Sequence, residues 1–322
     1  MRQMRKWLVL VTAVVLLVGC GQGNVGPQTQ QAPRQEGAEG QTLTTDRMDR
    51  QARLQQQAQG QRQRQQNQLA QQMRRTPDLA GGKERNVREP HPMTLADLHR
   101  KYPTTFRLSG APVKRQVALT FDDGPDVVFT PRVLDVLKKH NVKATFFLVG
   151  KRVEAHPEVV KRMVREGHEV GNHSYSHANL PKLKPHPFHV EVLRTQDVIA
   201  RHSGYRPKFI RPPYGAIEEE QIKWLASQGF TMVNWNVDSL DWKGLSADQV
   251  ADNVLSNVAQ GAIILQHSAG GHGEDLSGTI DALPKIIEKL KADGVSFVTV
   301  SQLLELPKGF RSGPPNGSPL TR

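Results

Sequence analysis

Cysteine is nearly absent from this chain. Cys20 is the only one in 322 residues, which excludes an internal disulfide and leaves everything after residue 20 without a thiol. Long apolar runs are scarce too. The run from Trp7 to Val18, preceded by Arg2, Arg5 and Lys6, falls short of the ~20 residues a permanent membrane-spanning helix needs, so it reads as a secretory signal. From residue 21 to about 90, large apolar side chains are few and glutamine dominates, as in Gln55-Gln56-Gln57 and Gln61-Arg62-Gln63-Arg64-Gln65-Gln66. Such a stretch cannot bury a core of its own and reads as a disordered or partly helical tether. Good helix formers from about Thr44 to Arg75 make a solvated helix the alternative there. No nucleic-acid-binding motif accompanies the net charge of +12, which leaves that class of partner unsupported.

What is present is a series of short polar segments, several of them ending apolar runs. The first is Thr120-Phe121-Asp122-Asp123-Gly124-Pro125, after the strand-like Val117-Ala118-Leu119. Alone it would pass for a polar turn. Successive strand side chains diverge, however, so one of Asp122 and Asp123 can bind a metal while the other handles a proton. Next, His173-Ser174-Tyr175-Ser176-His177 places two imidazoles at i and i+4, within reach of one cation. With Asp123 as third ligand, a divalent ion would keep open positions for water and substrate. In Arg211-Pro212-Pro213-Tyr214-Gly215 the prolines stiffen the loop and present the Tyr214 N–H in a defined direction, suited to an oxyanion. The planar fork of Arg211 can hold a carboxylate such as Asp122. Finally come Asp238-Ser239-Leu240-Asp241-Trp242 and Ile263-Ile264-Leu265-Gln266-His267-Ser268, where a histidine at a strand end with an aspartate available makes a natural general acid.

In this order the five segments resemble those of the polysaccharide deacetylases, the nodulation-factor-deacetylase homology domain of carbohydrate esterase family four. The resemblance covers roughly residues 105 to 306. It implies Asp122 as general base, Asp123, His173 and His177 as ligands of one divalent metal, and His267 as general acid. Zinc is the metal by ligand type, with cobalt, nickel or manganese as alternatives. The resemblance further implies that Arg211 orients Asp122 and Asp241 tunes His267. Pro213 and Tyr214 would lie at the oxyanion, with Leu265 and Trp242 walling the pocket for the acetyl methyl. One position departs from the pattern: an acid commonly follows the last histidine, and here Ser268 stands there.

The implied activity is metal-dependent removal of N-acetyl groups from an extracellular glycan, with peptidoglycan N-acetylglucosamine the leading substrate and chitin oligomers or exopolysaccharide as alternatives. A catalytically silent wall-binding or morphogenetic protein on the same fold is the contrasting class. Leu17-Val18-Gly19-Cys20 resembles a bacterial lipobox, which implies a lipidated Cys20 and attachment to the outer face of the cell membrane. The tether, with 13 basic against 8 acidic residues over 21–105, is a basic arm that could lie on anionic lipid or wall polymers.

Within the catalytic part, apolar runs alternate with helical patterns at 130–139, 156–165, 188–202, 218–228, 247–259 and 279–292, with Thr130 as the expected cap of the first. Such βα alternation predicts a parallel sheet with the polar segments at strand C-terminal ends. The fold expected is α/β, and the resemblance makes it a distorted, incomplete (β/α) barrel of about seven parallel strands with an open groove. The expected divisions are a signal peptide (1–20), the tether (21–104), the catalytic domain (105–306) and a disordered tail (307–322).

Overall fold

The computed structural model describes residues 39–84 and 95–310; the expectations for the signal, Cys20 and the chain after 310 lie outside them. Helix α1 (Glu39–Met73) covers the stretch where a helix was the alternative reading. The chain divides into two units between Gln59 and Gly60, inside this helix, and the second holds all the remaining elements. Leu69 and Met73, one helical turn apart, pack against the main core of that unit. Among the described residues no helix is long and apolar enough to cross a membrane.

Beyond α1 the elements run α2 (Leu95–Lys101), β1 (Phe106–Arg107), β2 (Gln116–Asp122), α3 (Phe129–Lys139), β3 (Thr145–Leu148), α4 (Gly150–Ala155), α5 (Pro157–Arg165), β4 (Glu169–Asn172), α6 (Pro185–Ser203), β5 (Arg206–Pro207), β6 (Phe209–Ile210), α7 (Glu219–Ser227), β7 (Thr231–Val233), β8 (Val237–Asp238), α8 (Ala247–Leu255), β9 (Ile263–His267), α9 (Ser277–Ala292), β10 (Ser296–Phe297), α10 (Val300–Leu304) and β11 (Gly309–Phe310). The main sheet has the order β1-β7-β6-β4-β3-β2-β9-β8, with β10 on the start of β2, and all its pairings are parallel. It is a curled half-barrel of nine strands, several only two residues long, where about seven were expected.

The run 231–237 has the composition of a single strand but is cut by Asn234-Trp235-Asn236 into β7 and β8, which join opposite ends of the sheet order. The Asn234 N–H donates to the Arg107 carbonyl and Asn236 exchanges bonds with the Ile263 backbone, so this one segment draws the two ends of the curl together. At the other boundary, β11 pairs antiparallel with β5, so ordered chain continues past residue 306.

Strand alternation sorts the core. On β2, Val117, Leu119 and Phe121 face the helix layer with Val133, Leu134 and Ile286. Ala118 belongs to an inner cluster with Phe147, Phe209, Val233 and Leu265, and the period of two carries Thr120 and Asp122 onto that same inner face. The barrel interior is therefore apolar low down and polar at the strand C-terminal ends, where (β/α) folds assemble their sites. The cap of α3 is not Thr130. Asp126 Oδ1 accepts the N–H groups of Val128, Phe129 and Thr130, while the Thr130 hydroxyl donates to the Ser268 carbonyl.

Candidate active site

The site residues occupy the ends of β2, β4, β6, β8 and β9 and the turns that follow. Asp123, Ser174, His177, Tyr214 and Leu240 all have φ between +56° and +68°. Left-handed backbone at non-glycine residues costs energy and persists where the surroundings over-determine it, as at functional sites. These turns aim the side chains: Asp122 ends β2 pointing inward, and the reversal at Asp123 swings the second carboxylate toward the histidines.

Asp123, His173 and His177 form a buried group whose ligand atoms lie within 4.8 Å of one another. Asp123 Oδ1 is 3.4 Å from His173 Nε2 and 3.1 Å from His177 Nε2, yet it makes no hydrogen bond. His173 Nδ1 lies 2.7 Å from the Arg211 carbonyl oxygen, which can only accept, so Nδ1 carries the proton and Nε2 the lone pair. On the other histidine, Nδ1 meets the Tyr214 hydroxyl at 3.1 Å. Burial holds His177 below its ordinary pKa, which favours the neutral ring a ligand must be. Burial opposes ionisation of Asp123, but the two imidazoles outweigh it and hold the carboxyl well below the usual range. Lone pairs thus converge on one point with an orphaned buried oxygen among them, an arrangement that a divalent cation fits.

Asp122 lies beside this group, with Oδ2 3.8 Å from His173 Nε2. Its Oδ1 accepts from Arg211 at 2.8 Å. Arg211 is fully buried and also donates to Thr120 Oγ1, the Val233 carbonyl and the Asn234 carbonyl, with Phe147 stacked 4.2 Å from its guanidinium carbon. Every bond it makes fixes the fork that holds Asp122. His267 Nδ1 donates to Asp241 Oδ1 at 2.7 Å, and Asp241 Oδ2 accepts from the His267 N–H and the Thr279 hydroxyl, both at 2.8 Å. Burial alone would lower the His267 pKa; the Asp241 charge and hydrogen bond overcome this and raise it well above the ordinary value.

The remaining expected residues fall at the same end of the barrel. Pro213 and Tyr214 form a 3-10 turn after β6, Trp242 follows Asp241 in another, and Leu265 lies two residues before His267 in the inner cluster. Ser268 is fully buried. Its N–H donates to the Asp122 carbonyl and its Oγ would sit 2.7 Å from a Cβ added at Gly124. It ties the end of β9 to the end of β2, and Asp241 supplies the carboxylate for His267.

Three contributors escaped the sequence reading. Arg152, fully buried on the unanticipated α4, donates to the carbonyls of Asp123, Gly270 and Pro77, bracing the strained Asp123 backbone. Thr279 completes the shell of Asp241. Residues 76–84 lie against the site rather than leading away from it. Neither an isolated arginine in Lys151-Arg152 nor a threonine in a helix carries a signal that sequence pattern could find.

Comparison with known proteins agrees with this geometry. Residues 109–233 match the polysaccharide deacetylase family. A peptidoglycan-N-acetylglucosamine deacetylase of Bacillus cereus is 52% identical over 209 residues, covering 65% of this chain and 74% of the relative. The peptidoglycan-N-acetylmuramic acid deacetylase PdaC of Bacillus subtilis is 43% identical over 199 residues, but the match spans only 40% of its length. A crystal structure of a peptidoglycan N-acetylglucosamine deacetylase bound to an N-hydroxybenzamide superposes with a TM-score of 0.61 at 51% identity, covering 63% of this chain and 94% of that one.

Proposed function

The chain belongs to the polysaccharide deacetylase family, and from that membership and the site's geometry we propose that it hydrolyses the N-acetyl group of peptidoglycan N-acetylglucosamine, releasing acetate. The observation that carries the reading is the convergence of three possible ligand atoms, on Asp123, His173 and His177, beside the second carboxylate oxygen of Asp122. Those three residues would hold a divalent metal, zinc by donor type, which when bound polarises the amide carbonyl and acidifies a water.

The chain's own groups do the rest. Asp122, held by Arg211 through Oδ1, has Oδ2 left to accept a proton from the attacking water. The Tyr214 N–H donates to the oxyanion, and its fixed turn means no reorganisation as charge develops there. His267, kept as imidazolium by Asp241, protonates the departing amine. Trp242 and Leu265 wall the acetyl methyl, beside Pro213. The contrasting reading, a silent wall-binding protein, has no physical need for a base, an acid and a ligand set all in register. On the same proposal, Cys20 is lipidated and the domain works on the outer face of the cell membrane, reaching the wall.

Acetate release from purified peptidoglycan and from chitin oligomers, by the full chain with and without chelator and added zinc, tests this. Chelator-sensitive release from peptidoglycan, restored by zinc, is expected. A folded, zinc-loaded protein that releases acetate from neither polymer would overturn the proposal.

A further inference from the structure

Residues 76–84 lie within the stretch that reads as a tether, yet their backbone is built into the rim of the active site. The Pro77 carbonyl accepts from Arg152 at 3.0 Å, and Arg152 also holds the Asp123 carbonyl. The N–H groups of Ala80 and Gly81 donate to the carbonyls of Ser176 and His177 at 2.9 and 3.0 Å. The Tyr214 hydroxyl donates to the Gly82 carbonyl at 2.8 Å. Leu79 is buried alongside, and Leu69 and Met73 moor the preceding helix on the core.

The bonds along this path fix where each proton sits. A carbonyl only accepts, so the single hydroxyl proton of Tyr214 goes to Gly82. The Tyr214 oxygen must then accept from His177 Nδ1, which therefore carries the ring proton, leaving the Nε2 lone pair facing Asp123. Were Gly82 withdrawn, the hydroxyl could donate to Nδ1 instead, and the neutral ring would carry its proton on Nε2, where it cannot ligate. Resting on the metal-dependent reading above, we propose that the Gly81–Gly82 backbone is a positioning element of the metal centre, acting through the Tyr214 hydroxyl to fix the tautomer and orientation of His177.

Both glycines are demanded by this placement, for different reasons. A Cβ at Gly81 would collide with the Tyr214 hydroxyl and stand 2.6 Å from the His177 carbonyl oxygen. Gly82 has φ +91°, a backbone that side chains disfavour. A linker has no use for either constraint. A polypeptide laid against a metal ligand has use for both.

The test is zinc affinity of the full chain, by competition with a chromophoric chelator, for wild type, Gly81→Val, Gly82→Ala, Tyr214→Phe and the Gly81→Val/Tyr214→Phe double variant. Outer partners of metal-binding histidines are typically worth about 10–100-fold in affinity, so each single variant should weaken zinc by about 10-fold or more. The double variant should be no weaker than its worse parent, since both changes break one path. In metal-free protein, 15N-histidine spectra should show His177 protonated at Nδ1 in the wild type and at Nε2 in a substantial fraction of the variants. Wild-type zinc affinity in both glycine variants, multiplicative losses in the double variant, or an unchanged tautomer would each overturn the proposal. Failure of the wild type to bind zinc would instead overturn the metal-dependent reading beneath it.

Discussion

Replacing Asp241 by Asn changes one atom in size and inverts the logic of the proposed acid. Asp241 Oδ2 accepts two donors, the His267 N–H and the Thr279 hydroxyl, whereas Oδ1 accepts one, from His267 Nδ1. An asparagine will put its carbonyl oxygen where two donors need it and its NH2 toward Nδ1. That ring nitrogen must then become an acceptor, so the neutral ring carries its proton on Nε2 and the imidazolium faces a donor. Burial already pushes the His267 pKa down, and Asp241, through its charge and its hydrogen bond, is the largest influence opposing it, ahead of the Asp123 and Glu84 charges. A raised pKa keeps the acid form present to higher pH, so its loss moves the alkaline limb of kcat/KM to lower pH. General acid catalysis is worth about 100- to 10,000-fold, and we expect Asp241→Asn to cost about 100-fold or more at pH 7, with the deficit shrinking as pH falls. Each unit of downward shift in the limb corresponds to about 1.4 kcal/mol of lost preference for the imidazolium. Acetate release by zinc-loaded enzyme across pH 5 to 9 reads this out. A variant profile superimposable on the wild type would refute the role of the pair.

Asp122→Asn and His267→Ala should each keep zinc bound, measured by metal content after dialysis, while lowering turnover by about 100-fold or more, the range for a lost general base or acid; wild-type rates in either would remove that residue from the mechanism. Arg211→Met leaves the Asp122 carboxylate buried without its cation and should cost about 3–5 kcal/mol, the range for breaking one side of a buried pair, seen as a lowered urea midpoint. A loss below about 1 kcal/mol would mean that Asp122 finds another partner.

The strands and the grouping of the site residues were legible because both are local. A run such as Val117 to Phe121 announces a buried strand by composition, and Asp122, Asp123, His173, His177, Arg211, Asp241 and His267 stand at the ends or in the turns that follow, where parallel (β/α) sheets bring such ends together. What failed to show was set by packing. Asn234 and Asn236 interrupt a good strand sequence because each is bonded across the closing sheet, to Arg107 and to Ile263. Asp126 rather than Thr130 caps α3, since Thr130 already lies inside the helix, where its own N–H is one of the groups Asp126 accepts and its hydroxyl oxygen accepts the Asp126 N–H in return. The six residues of α4 carry too little periodicity to stand out, and with α4 went Arg152.

The hardest part to see was the role of residues 76–84, and the reason is chemical. Their bonds to Ser176, His177 and Tyr214 use main-chain N–H and C=O groups, which nearly every residue possesses, so composition cannot distinguish this segment from a solvated linker. A Gly-Gly pair ordinarily signals slack. Here one glycine is required by close approach and the other by its φ, and the partners lie some hundred residues away in sequence. A fragment beginning near residue 90, the natural choice if the preceding chain were only a tether, would lack the carbonyl that sets the Tyr214 hydroxyl and the three backbone contacts beside it. Such a fragment would be expected to fold around the same five segments yet hold its metal more weakly, and its activity would understate that of the full chain.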